Sequence, residues 1–163
     1  MTEKLFEELE KLSNNKQDPF DRIVAEWSKG PQPELYGKTL RAMVMALPVM
    51  LAHIQSWVEA GDAPAPLRRL HEYALAYIDN PIDYLPEKVM GLFGYVDDAY
   101  LVASVYNRTM QKTDWAGIKP YLNSPNLAND VPSWLAATQR LLPEVAGNID
   151  KALAPLMAPV DAP

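Results

Sequence analysis

The chain of 163 residues contains no cysteine. Disulfide frameworks, thiolate metal sites and cysteine nucleophiles are therefore excluded together. Basic charge is also scarce: 15 Lys and Arg face 21 Asp and Glu, a net charge of −6. This balance argues against a nucleic-acid binder, which needs a clustered basic face to displace counterions from phosphates. Residues 1–10, Met-Thr-Glu-Lys-Leu-Phe-Glu-Glu-Leu-Glu, have neither the basic start nor the apolar run of a secretory leader. The most apolar stretch, Met43 to Val58, includes His53, Gln55 and Ser56. It falls short of the roughly 20 apolar residues of a spanning helix and reads as a core helix, with no transmembrane segment expected. Together these absences place the chain, as an expectation, in the cytoplasm.

Alternating β-branched runs are missing as well, while helical spacing recurs throughout. Leu5, Phe6, Leu9 and Leu12 mark a first amphipathic helix that Ser13-Asn14-Asn15 ends. Asp18-Pro19 reads as a cap followed by a proline in the first turn, leading Phe20, Ile23, Val24 and Trp27 to a stop at Gly30-Pro31. From Glu34 to Ala60 the apolar positions step by threes and fours, and the middle is apolar all round, so this helix is expected to be central, with a kink or break at Pro48. Gly61 to Pro66 connects it to a helix ending near Asn80, and another is predicted from about Tyr95 to about Met110. Thr113 to Asn129 looks irregular. A helix restarting at Asp130 to Pro132 carries a threatened kink at Pro143, and Gly147-Asn148 is expected to separate it from a last short helix.

Proline, at 15 of 163 residues, is well above the usual share of about 5% and marks these boundaries. No internal repeat or composition break appears. The fold class is all-α: one compact helical domain of about six to eight helices over 1–157, with a Pro-rich turn between two core helices and a frayed tail at 158–163.

Signatures of hydrolase elbows, phosphate loops, dinucleotide folds and zinc helices are absent, so the chain leans away from being an enzyme. Gly91-Leu92-Phe93-Gly94 is read as a tight turn rather than a phosphate cradle. His53 and His71 lie on different predicted helices and read as hydrogen-bonded, partly buried side chains rather than ligands. Asn107-Arg108-Thr109 matches a glycosylation acceptor that has no meaning without secretion.

Charge becomes sharp in one place. Asp79, Asp83, Glu87, Asp97 and Asp98 stand against the single base Lys88, around a segment stiffened by Pro81 and Pro86. Here Asn80-Pro81-Ile82-Asp83-Tyr84-Leu85-Pro86-Glu87, followed by Gly94-Tyr95-Val96-Asp97-Asp98-Ala99-Tyr100-Leu101, resembles the YkvA-like bacterial family, domain of unknown function 1232. Its pattern runs approximately Ser-Pro-Ile-Asp-Leu-Ile-Pro-Asp, a short apolar stretch, then Gly-x-x-Asp-Asp and an apolar helix. The likeness covers about forty residues, 69–110. Departures are Asn80 for a small hydroxyl residue, Tyr84 for an aliphatic, Glu87 for aspartate, and no proline between Glu87 and Gly94. The resemblance implies no activity, because the family is named for having none assigned; many relatives carry hydrophobic segments that imply membrane proximity.

Two readings of the motif stay open. In one, Asn80 caps the incoming helix, Pro81 and Pro86 stiffen the link, Asp83 accepts backbone N–H bonds, Gly94 permits the turn, and Asp97 and Asp98 sit at a helix N-terminus that favours carboxylates. In the other, Asp83, Asp97 and Asp98 supply hard oxygen ligands to Mg²⁺, Ca²⁺ or Mn²⁺, with Glu87, His71 and Glu72 as the nearest further candidates for a metal-dependent hydrolase. Adjacent helical residues diverge by about 100°, so Asp97 and Asp98 cannot both face one site from a straight helix. No other cofactor is expected. The leading functional expectation is a non-enzymatic interaction or scaffold module, with a protein partner or self-association through an exposed apolar patch including Tyr84, Phe93, Tyr95 or Trp115. Peripheral membrane contact is disfavoured by the negative charge.

Overall fold

The amphipathic stripes of the chain are realised as eight α-helices and three short 3₁₀ segments, without strands, among the described residues. The computed structural model describes residues 2–28, 33–79, 90–112, 114–121 and 127–157. Helix α1 (Thr2–Asn14) buries Leu9 and half-buries Leu5 and Leu12. Helix α2 (Phe20–Trp27) buries Phe20, Ile23 and Val24, the i, i+3, i+4 face that its sequence displays. Pro19 is its N-cap, and Asp18, one residue earlier, accepts the Phe20 N–H through Oδ1 at 3.0 Å.

The stretch Glu34–Ala60 is long and apolar enough, by length and composition, to cross a membrane. It breaks into α3 (Pro33–Met45) and α4 (Leu47–Ala60) at Ala46, and Pro48 occupies the first turn of α4. The break follows from the missing proline N–H and from its ring, which collides with the carbonyl four residues back in a continuous helix. Leu40, Met43, Val44, Leu47, Met50, Leu51, Ile54 and Trp57 from this pair enter the common core. From α3, Arg41 lies over the Phe20 ring at 4.6 Å and reaches Asp21 at 3.3 Å and Ser13 Oγ at 3.2 Å, joining three helices. Gly61, at φ 71°, closes α4 in the left-handed conformation that glycine adopts without a Cβ penalty.

Helix α5 (Ala65–Asp79) leads to a 3₁₀ turn (Gly91–Tyr95) that runs directly into α6 (Val96–Met110). The central place belongs to α6, not to the Glu34–Ala60 stretch. Every residue from Val96 to Tyr106 is buried, and α6 packs against α3, α4, α5, α7 and α8. Helix α4 keeps one side outward, with Val49 46% exposed. A 3₁₀ segment (Ala116–Tyr121) gives structure to part of the span expected to be irregular, and α7 (Leu127–Leu141) begins before Asp130. Pro143 does not kink a helix: the chain breaks at Leu142, with φ −128° and ψ 61°, and Pro143 starts α8 (Pro143–Leu153). Gly147 and Asn148, read as a separator, lie inside α8, and a final 3₁₀ turn (Ala154–Met157) packs against α5 and α8.

The Pro-rich turn, with Asn80, Pro81, Ile82, Asp83, Tyr84, Leu85, Pro86 and Glu87, lies outside the described residues, as does the tail 158–163.

Candidate functional site

The C-terminal half of the motif forms the entry into α6. Asp97 and Asp98 occupy its first turn, where unpaired N–H groups and the helix dipole favour carboxylates. Both are buried, at 1% and 6% exposure, and no other carboxylate among the described residues is. Gly94 is buried within the 3₁₀ turn, and the left-handed glycine is Gly91, at φ 57°. A Cβ at Gly91 would overlap Asp18 Oδ2, the atom that accepts the Leu92 N–H at 3.0 Å. Only a glycine allows the turn to approach the α2 cap this closely.

Of the residues expected to form an exposed patch, Phe93, Tyr95 and Trp115 are at 0%, 8% and 8% exposure and belong to the core. Phe93 packs between Phe20, at 5.8 Å, and Trp27, at 5.2 Å edge-on. The motif turn is thus pinned by aromatic burial, and these three side chains provide no docking surface. Tyr84 lies outside the described residues.

The two histidines join an aromatic cluster between α4, α5, α6 and the 116–121 turn. His71 is fully buried, stacked on Trp57 at 5.2 Å, and its Nε2 lies 2.9 Å from Thr109 Oγ1. Thr109 spends its one hydroxyl hydrogen on the Val105 carbonyl at 2.9 Å, so Nε2–H donates to Thr109 and Nδ1 is the unprotonated nitrogen. Nδ1 is buried without a hydrogen-bond partner. Burial pushes the His71 pKa down to about 4, which keeps the ring neutral. His53 Nδ1 lies 2.9 Å from the Tyr106 hydroxyl. Burial lowers the His53 pKa and raises that of Tyr106 to about 12. His71 is sealed within this packing and His53 is half-buried at its edge, both hydrogen-bonded as read from the sequence. Among the described residues, no group of three or more His, Asp or Glu side chains, with His71 and Glu72 or without them, is placed to hold a metal.

The exposed apolar surface lies elsewhere. Phe6 of α1 and Val49 of α4, 45% and 46% exposed, face a shared groove of about 330 Å³ whose rim carries Glu3 and Glu7. The sequence hid it, because Val49 sits within a run of apolar neighbours and Phe6 falls in the helical stripe of Leu5, Leu9 and Leu12, so both read as core. The signal that remained was Phe6 directly beside Leu5: two adjacent helical positions point about 100° apart, so both cannot face one core.

The described fold is that of an all-α protein in which a buried acidic turn enters the central helix. Within it, residues 73–103, from α5 into α6, match the model of a family described as a protein of unknown function (DUF1232). No curated protein and no solved structure matches the chain.

Proposed function

We propose that this chain is a partner-binding helical module whose α1–α4 groove receives a basic amphipathic helix from another protein. The observation that carries this is the pairing of Phe6 and Val49 on the outer face, two of the three large apolar side chains left exposed among the described residues. A groove between two packed helices suits the helix-in-groove mode, in which apolar anchors enter between the ridges. Charge decides the partner. Glu3 and Glu7 stand one turn apart on the rim, and the whole chain carries −6, so Lys and Arg flanking the incoming apolar face are attracted and a second copy of this acidic chain is repelled.

The test is a photo-crosslinking residue placed at Val49 in cells, with mass spectrometry of the joined peptide. The expected product is a peptide with Lys or Arg flanking an i, i+3, i+4, i+7 apolar stripe, lost when Phe6→Glu places a charge in the groove. Crosslinks only between copies of this chain, or products insensitive to Phe6→Glu, overturn the proposal.

A further inference from the structure

Tyr100, Ser104, Asn107 and Arg108 of α6 and its C-cap Gln111 form one polar stripe, and all five line a cleft of about 410 Å³ against α7 and α8. The cleft floor is prearranged. The Tyr100 hydroxyl donates to Asp150 of α8, at 2.9 Å from Oδ1 and 3.2 Å from Oδ2, and accepts from Gln139 Nε2 of α7 at 3.1 Å. Burial, together with the neighbouring Asp150 carboxylate, pushes the Tyr100 pKa up despite the opposing Gln139 hydrogen bond, so the phenol stays a donor.

Arg108 and Asp150 line this same cleft but do not pair: among the described residues the ion pair recorded is Arg41 with Asp21. Arg108 Nη1 is shielded from solvent and has no hydrogen-bond partner. A shielded guanidinium nitrogen without an acceptor is costly, and a carboxylate held by a neutral phenol retains acceptor capacity. Two opposite charges thus line one cleft of about 410 Å³ without pairing.

We propose that this cleft binds a zwitterion of the free amino-acid class, its carboxylate on Arg108 and its ammonium on Asp150. A simple anion meets Asp150 and a simple cation meets Arg108; a molecule bearing both charges satisfies both. The amides of Asn107, Gln111 and Gln139 supply further donors and acceptors for a polar side chain. This site is separate from the α1–α4 groove, so each stands or falls alone.

The experiment is ligand-observed NMR of the full chain with the common amino acids at millimolar concentration, followed by calorimetry of the best binder. At least one is expected to saturate with one site per chain. Its N-acetyl and methyl-ester derivatives, each lacking one charge, are expected to bind at least about tenfold more weakly, as are Arg108→Gln and Asp150→Asn. Gln111→Glu, at an exposed position one turn from Arg108, leaves the core untouched and is expected to give the same loss by neutralising the guanidinium. No saturable binding by any amino acid, equal binding of the blocked derivatives, or unchanged affinity in Gln111→Glu each overturns the proposal.

Discussion

Asp18 and Leu92 are 74 positions apart in sequence, yet the Asp18 carboxylate accepts the Leu92 N–H at 3.0 Å while its other oxygen accepts the Phe20 N–H at the start of α2. One side chain thus joins the start of α2 to the turn that feeds the central helix. Asp18→Ala is expected to lower stability by about 2 kcal/mol, the loss of a helix-start hydrogen bond and of a charge-assisted one. Gly91→Ala is expected to cost about 1 to 3 kcal/mol, because φ 57° disfavours any Cβ and this one overlaps Asp18. The double variant relieves the overlap but not the backbone strain. Its loss is expected to fall short of the sum by about 0.5 kcal/mol or more in urea unfolding, and strict additivity counts against the contact.

Acid sensitivity follows from His71. The unfolded chain takes up a proton near the ordinary value of 6.5, whereas the folded ring does so only at about 4. The contribution is therefore fully present above about pH 6.5 and is lost as the pH falls through that window, at up to about 1.4 kcal/mol per unit. Between about pH 7 and about pH 5 the wild type is expected to lose roughly 2 kcal/mol from this group. His71→Leu is expected to flatten the slope, leaving the smaller part due to His53, whose pKa burial also lowers. An unchanged slope in His71→Leu assigns the acid loss to other groups.

Helix positions were legible in the sequence where a local signal fixed them: Asp18-Pro19 before α2, Pro48 at the α3–α4 break, and Gly61 at the end of α4. Pro143 misled because a proline in the first turn of a new helix looks the same, in one dimension, as a proline interrupting an old one. Phe93 and Trp115 misled for a different reason. Such side chains look stranded on the surface until distant partners are known: Phe20 and Trp27 reach Phe93, and Trp57 and His71 reach Trp115, from far along the chain. The motif itself was legible, and the family match falls on it. The Tyr100 to Gln111 stripe was visible as polar residues at i, i+4, i+7, i+8 and i+11, but Asp150 and Gln139 come from other helices that no periodicity connects.

Burial of Phe93 against two aromatic rings makes it the anchor of the motif turn. Phe93→Ala is expected to cost about 3 to 5 kcal/mol, the transfer term plus the cavity left between Phe20 and Trp27. Loss of the edge-on ring is also expected to change Trp27 fluorescence in the folded state. A cost below about 1 kcal/mol indicates a solvent-facing ring and restores the docking role expected of it from sequence.

Asp97 and Asp98 are buried in the first turn of α6, where a partly buried carboxylate gains up to about 2 kcal/mol from the helix N-terminus. Replacement by Asn keeps the shape and removes the charge. Asp97→Asn and Asp98→Asn are each expected to lower stability by about 1 to 2 kcal/mol, and by the same amount with or without millimolar Mg²⁺, Ca²⁺ or Mn²⁺. A resident cation predicts a different pattern. At a hundredfold excess over Kd it stabilises the folded chain by about 2.7 kcal/mol, a gain that these two variants and Asp83→Asn must all lose. Thermal unfolding of the four proteins with and without each salt separates the outcomes: parallel losses make the aspartates helix-entry residues, and a cation-dependent gain confined to the wild type makes them ligands.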